Sequence, residues 1–246
     1  MATDYNEIAQ DYVELKMQPW RAAVEEYTLL RHLGNVAGEK VVDLACGQGF
    51  FTRKVKALGA SDVLGVDLSR KMIQLAREEE VRAPLGIDYQ VGDAMADGPR
   101  EDFDLAMCAW LLTYAYNSAV LDSMCRGLAR RLRSGGRLVT FTTNNDLYHY
   151  PSVDYTPYGF SIHLDAEVCD GAKIVWRFPT SNGYCDIENY YLPNASYRRA
   201  LEAAGFREVT FHPLEISPES RSEYAPDYWD LLLKYQPAMV ITAIRD

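Results

Sequence analysis

From Lys40 to Thr142, short runs of aliphatic and β-branched residues alternate with segments whose apolar positions recur every three or four residues. Lys40-Val-Val-Asp-Leu44 reads as a buried strand ending at a glycine-rich turn. Phe50 to Leu58 reads as a helix stopped by Gly59. Val63-Leu-Gly-Val66 is a second strand. Ser69 is placed to cap the next helix, which shows Met72, Ile73, Leu75 and Ala76 on one face. Ile87 to Val91 and Phe103 to Cys108 are third and fourth strands. Leu121, Met124, Leu128 and Leu132 fall at helical spacing, and Gly135-Gly136 turns into a fifth strand, Arg137 to Thr142.

Strands alternating with helices predict right-handed βαβ units and a mostly parallel sheet covered on both faces, an α/β chain. Further on, Ser196 to Ala204 reads as a helix with Gly205 as its C-cap, and Phe206 to Phe211 and Met239 to Ile244 as final strands. Asn145 to Pro193 breaks the rhythm. It is too long for a connection and carries strand-like runs at Lys173 to Phe178 and Asn189 to Leu192, so it reads as an insertion on the core. The expected organisation is a single domain over 1–246, with an N-terminal helical segment 1–34, a core at 35–144 and 194–246, and an insertion at 145–193.

Composition narrows this picture. The 246 residues suffice for a real hydrophobic core, and 48% hydrophobic with 24% charged residues fits a soluble enzyme. A formal net charge of −10 argues against nucleic-acid binding and against a basic membrane anchor. The five cysteines contain no C-x-x-C pair, which points to a reducing compartment and to no structural metal. The acidic start lacks a signal-peptide pattern, and Leu105 to Tyr116 is too short an apolar stretch to span a bilayer. The expectation is a cytoplasmic protein.

The sharpest chemical signal is Asp43-Leu-Ala-Cys-Gly47-Gln-Gly49-Phe-Phe51, where a strand enters a small-residue turn and a helix opens directly after it. Ligands of open α/β sheets sit at the carboxyl ends of the strands, and glycine lets the backbone approach them closely. Asp67 closes the second strand, where a carboxylate accepts bonds from ribose hydroxyls. Gly92-Asp93-Ala94 follows the third, where a carboxylate and a backbone N–H can address an adenine edge. Three acids at consecutive strand ends suggest a nucleoside site. A nicotinamide dinucleotide wants a third glycine where Thr52 stands, and its pyrophosphate would be repelled by Asp43. S-adenosylmethionine carries no phosphate, and its ammonium and sulfonium are complementary to Asp43.

On these motifs the chain resembles the class I S-adenosylmethionine-dependent methyltransferases. Asp43-x-Ala45-x-Gly47-x-Gly49 matches their acid and glycine motif with Ala45 in place of the first glycine. Asp67 matches the ribose acid, Asp93 with Ala94 the adenine pair, Phe103-Asp104 through Ala109-Trp110-Leu111 the fourth-strand motif, and Leu132 to Leu138 the entry to the fifth strand. The resemblance covers roughly 36–143 by motif. It implies a Rossmann-like three-layer αβα fold whose seven-stranded sheet is mostly parallel, with the last strand antiparallel. Asp43-Leu-Ala-Cys-Gly-x-Gly-Phe-Phe51, Ala109-Trp110-Leu and Trp229-Asp230 are similar to bacterial small-molecule methyltransferases related to the toxoflavin azapteridine N-methyltransferase. Tyr5-x-x-x-Ala9-x-x-Tyr12 resembles a lid helix that closes over the cofactor.

The implied cofactor residues are Tyr5, Tyr12, Asp43, Ala45, Cys46, Gly47, Gly49, Phe50, Phe51, Asp67, Leu68, Met72, Gly92, Asp93, Ala94, Met95, Cys108, Ala109 and Trp110. Trp20, Tyr116, Tyr148, Tyr155, Trp176 and Tyr190 are candidates for the acceptor pocket, and His149, His163, Tyr114 and Glu188 for proton transfer; no metal is expected. The insertion holds seven of the 17 tyrosines and half of the net negative charge, which suggests a cationic or amine-bearing acceptor. The expected activity is methyl transfer to nitrogen or oxygen of a small molecule, nitrogen favoured, in secondary metabolism, with S-adenosylhomocysteine as product. The rival readings are a nicotinamide-dependent oxidoreductase and a cofactor-binding module without turnover.

Overall fold

Residues 18, 20–96, 102–149, 153–164, 167–181 and 183–246 are described in a computed structural model. Their strands are β1 (Lys40–Leu44), β2 (Asp62–Asp67), β3 (Asp88–Val91), β4 (Phe103–Ala109), β5 (Leu132–Thr143), β6 (Ser161–Leu164), β7 (Lys173–Thr180), β8 (Gly183–Tyr190), β9 (Phe206–His212) and β10 (Ala238–Arg245). Seven form one sheet in the order β3-β2-β1-β4-β5-β10-β9. Strands β1 to β5 pair in parallel, while β10 runs antiparallel to both β5 and β9. Strand order reverses between β1 and β4, and a ligand site of an open α/β sheet belongs at that switch point.

The helices follow from local caps and apolar faces. A π-helical turn, Arg21–Glu26, leads into α1 (Tyr27–Leu33); then come α2 (Phe50–Ala57), α3 (Arg70–Arg82), α4 (Ser118–Arg131), α5 (Asn194–Ala203), α6 (Pro218–Glu223) and α7 (Asp230–Tyr235). Ser69 caps α3 by accepting from Met72 N at 3.2 Å, and Asn117 caps α4 by accepting from Val120 N at 2.9 Å. Alternate residues of the central strands serve two cores. Leu105 and Met107 of β4 pack with Leu29, Leu33, Val55 and Ile73 from the α1–α3 layer. Ala106 and Cys108 face the other way, toward Leu121, Cys125 and Leu128 of α4 and Leu201 of α5.

Strands β6-β7-β8 form a separate antiparallel sheet. Its inner side chains Ile174, Trp176, Phe178 and Ile187 join the same core as Trp20 and Trp110, so the added sheet covers the α1 side of the molecule. Its ends are stitched together where β5 stops and α5 starts: Asn145 Nδ2 donates to Leu192 O at 2.7 Å, and Asn194 Nδ2 to Asn144 Oδ1 at 2.8 Å. Two boundaries differ from the sequence expectation. Leu132 does not continue α4; it opens β5 opposite Phe103, because the bulge before Leu105 lets the strand begin ahead of the glycines. The run expected at Asn189 to Leu192 is instead the end of β8, which starts at Gly183.

Candidate functional site

The loop after β1 follows from three left-handed residues, Ala45 (φ 61°), Gly47 (φ 57°) and Gly49 (φ 85°). Glycine enters that region freely and alanine only with strain, so Ala45 marks a backbone path held by its surroundings. Asp67 supplies part of that hold. Its Oδ2 accepts from Gly47 N and its Oδ1 from Ser69 N, each at 2.8 Å. Burial pushes the Asp67 carboxyl above the usual aspartate range, with the two backbone N–H groups opposing the shift. Asp43, 1% exposed, accepts from Thr52 Oγ1 at 2.6 Å. Burial, with Asp43 and Asp67 nearby, drives the Cys46 thiol well up, so it is a packed thiol and not a nucleophile.

Asp43, Ala45, Cys46, Gly47, Gln48, Phe50, Phe51 and Ala109 line a narrow cleft. That lining has a carboxylate and no lysine or arginine. The donor set fits a cationic sulfonium or ammonium beside Asp43 and ribose hydroxyls beside Asp67, and it would repel a pyrophosphate. The loop rests on Tyr89: a Cβ on Gly49 would lie 2.3 Å from its hydroxyl, and one on Gly65 would lie 2.7 Å from its ring.

One residue beyond Ala109, Trp110 has φ 69°, an uncommon conformation for a bulky side chain. Its N–H is tied to Phe141 O at 2.8 Å. Its indole Nε1 donates to Glu25 Oε1 at 2.8 Å, and Arg21 Nη1 donates to Glu25 Oε2 at 2.5 Å. Arg21 and Glu25 are 5% and 1% exposed, so the pair is buried and its charges offset each other. Arg21, Trp110, Tyr114, Trp176, Phe178, Ile187 and Asn189 line a second, narrow cleft. Consecutive residues at the end of β4 therefore wall the two clefts.

The expected cofactor residues Asp43, Ala45, Cys46, Gly47, Phe50, Phe51 and Ala109 meet in the first cleft, with Asp67 and Gly49 shaping its loop. Gly92 N donates to Asp67 O at 3.0 Å, and Asp93 Oδ1 accepts from Met95 N at 2.8 Å, which sets the turn carrying Ala94. Other expectations need correcting. Cys108 faces α4 and bonds Thr140 Oγ1, because its parity on β4 is opposite to that of Ala109; burial raises its thiol to about 12. Met72 is spent in the core at 1% exposure. Leu68 and Met95 are exposed and are not among the residues lining the first cleft, which neither supports nor overturns their expected contact.

The acceptor candidate Trp176 and the proton-transfer candidate Tyr114 line the second cleft, and so does Trp110, which was expected at the cofactor and does not line the first cleft. Trp20 is fully buried behind it, edge-on to Trp110. Tyr155 stacks on Phe160 in the core. Tyr148 packs edge-on to Tyr191, and burial raises its phenol. Tyr116 and Tyr190 contact each other and do not line the cleft. His163 is exposed and bonds Ser161 Oγ; Glu188 pairs with Lys173. Neither reaches the cleft, because β-strand alternation turns both away from Trp176 and Ile187. Tyr5, Tyr12 and the His149 side chain lie outside the described residues. Asp146, Asp154, Glu167 and Asp170 are exposed, and Asp186 pairs with Arg177, so these acids form a solvated outer face and not a cation trap.

Glu25, Phe178, Ile187, Asn189 and Gln48 were not expected at the site. The alternation Cys185, Ile187, Asn189, Tyr191 carried the signal for Asn189. Nothing local marks Glu25, whose i−4 arginine reads as a solvated helix pair.

Residues 41–136 match the family model described as a methyltransferase domain. The N-demethylindolmycin N-methyltransferase of Streptomyces griseus is 29% identical over 180 residues, 72% of this chain and 73% of that protein. A ubiquinone biosynthesis O-methyltransferase of Methylococcus capsulatus is 32% identical over 186 residues, 73% of this chain and 70% of that protein. The crystal structure of an S-adenosylmethionine-dependent methyltransferase from Mesorhizobium loti shares the fold with a TM-score of 0.65 at 24% identity, covering 90% of this chain and 97% of that one.

Proposed function

The chain belongs to the class I S-adenosylmethionine-dependent methyltransferases, and from that premise we propose that its acceptor is a planar small molecule bearing an uncharged nitrogen. The observation that carries this reading is the junction at Ala109 and Trp110, where a carboxylate-lined glycine loop meets an aromatic-walled cleft. When bound, S-adenosylmethionine supplies an electrophilic methyl on sulfur. Trp110, Tyr114, Trp176 and Phe178 give the cleft an aromatic lining that excludes water around an acceptor, so orientation and desolvation supply much of the acceleration.

Nitrogen is preferred over oxygen on proton grounds. A phenol must lose its proton before it attacks, whereas a neutral aryl amine attacks through its lone pair. Among the described residues lining the cleft there is no histidine or carboxylate; Tyr114, the proton-transfer candidate that does line it, carries a phenol that is protonated at neutral pH, and Glu25 behind it is held by Arg21 and Trp110. The methyl group would come from S-adenosylmethionine, and the neutral nitrogen would need no base from the cleft lining to accept it, its proton passing to solvent once the product leaves. The Streptomyces griseus relative is named as an N-methyltransferase and the Methylococcus capsulatus relative as an O-methyltransferase, so both outcomes occur among similar chains.

The test supplies labelled S-adenosylmethionine with a panel of aryl amines, phenols and alkyl amines at neutral pH. Label in the aryl amines is the expected result. Transfer confined to phenols would overturn the nitrogen reading, and loss of S-adenosylhomocysteine binding at millimolar ligand would overturn the cofactor assignment.

A further inference from the structure

The inner face of the β6-β7-β8 sheet is built from Ile174, Trp176, Phe178, Cys185 and Ile187, all 7% exposed or less. Asn189, at 2% exposure, interrupts that apolar surface with an amide. Its strand neighbours on the outer face are accounted for, Glu188 by Lys173 and Asp186 by Arg177. Asn189 lines the second cleft, and its Oδ1 has no hydrogen-bond partner among the described residues. A buried acceptor without a donor weakens a fold, and an apolar side chain would complete this face better. The amide therefore has a use outside packing.

We propose that Asn189 selects and orients the methyl acceptor by receiving an N–H from it. The inference rests on the methyltransferase reading above and names the chemistry of the acceptor for that site. Trp110 and Trp176 pack edge to face at 5.2 Å and form one wall; an aryl amine entering the cleft against that wall gives one N–H to Asn189 Oδ1, which leaves its lone pair free for the methyl group. Arg21 and Glu25 offset each other beside the cleft, so the acceptor is uncharged. A site built this way rejects an analogue that lacks the N–H, because the amide oxygen is then left desolvated and unbonded. Asn189 is a positioning residue and not a catalytic one.

The experiment uses the full chain saturated with S-adenosylhomocysteine and follows the quenching of tryptophan fluorescence by two probes of like shape. One is 6-aminoquinoline; the other is 6-methylquinoline, which has no donor. Wild type is expected to prefer the amine by about tenfold, the size of one neutral hydrogen bond. Asn189→Leu and the smaller Asn189→Ala are each expected to bring that preference to within about twofold of unity, with S-adenosylhomocysteine affinity unchanged by calorimetry. Equal binding of the two probes to wild type, or a preference that survives in a folded variant, overturns the role of Asn189. Failure of wild type to bind S-adenosylhomocysteine is a separate result that overturns the methyltransferase reading itself.

Discussion

Asp67 commits one carboxylate oxygen to Gly47 N and the other to Ser69 N, so it shapes the glycine loop before any ligand arrives. Asp67→Ala is expected to lower S-adenosylhomocysteine affinity about 10- to 100-fold, in line with losing a charge-assisted acceptor, as calorimetry would measure. Acid should do the same to wild type. Because burial raises this carboxyl, the weakening begins above the ordinary aspartate range. Its stability effect has the opposite sign: the native state holds the Asp67 proton longer than the unfolded chain does, so this group favours folding at low pH and loses that contribution as pH rises through its raised value. Asp67 was legible in the sequence because a strand end fixes where an acid points. Asn189 was not, because the run containing it was taken to start at its own position, which hid the alternation that turns it inward. Cys108 failed for parity: neighbours on β4 serve opposite layers, and a motif match does not say which.

At the scale of elements, the Arg21–Glu25–Trp110 set joins the helix that precedes β1 to the end of β4. Glu25→Ala would leave Arg21 buried beside a lost partner, and urea unfolding should show a loss of about 3–5 kcal/mol. The double change Arg21→Met with Glu25→Leu should cost far less, since no charge is then stranded. The parallel sheet and its helices were legible from periodicity because each element buries one face. The small antiparallel sheet was legible only in part, since β6 is four residues long and too short to show an alternation of its own. The burial of Glu25 was not legible at all. It arises when that sheet covers a helix face that looks exposed in isolation.

Across the whole molecule, α1 and β9 meet through His32 and His212, stacked at 4.1 Å. Burial lowers both imidazoles from 6.5, and His212 lowers His32 further, while Glu215 opposes the shift. The native state thus binds fewer protons than the unfolded chain just below the ordinary histidine value. The pair's contribution is complete above that value and is lost as pH falls toward the lowered ones. Thermal melts taken downward from about pH 8 should show a declining midpoint through this window, and His212→Gln should flatten the decline. A second consequence concerns how such a chain changes over generations. Trp110 serves two masters, with its ring walling the second cleft and its indole N–H securing Glu25. A substitution there that retunes the acceptor also unlatches the preceding helix. Phe178 and Ile187 also pack the core, but they and Asn189 stand on strands whose outer faces are independently paired, and Glu25 is not bonded to any of them. Drift toward new acceptors should therefore run through β7 and β8 while Trp110 stays frozen, and a saturation library selected for altered acceptors should yield hits on those strands first.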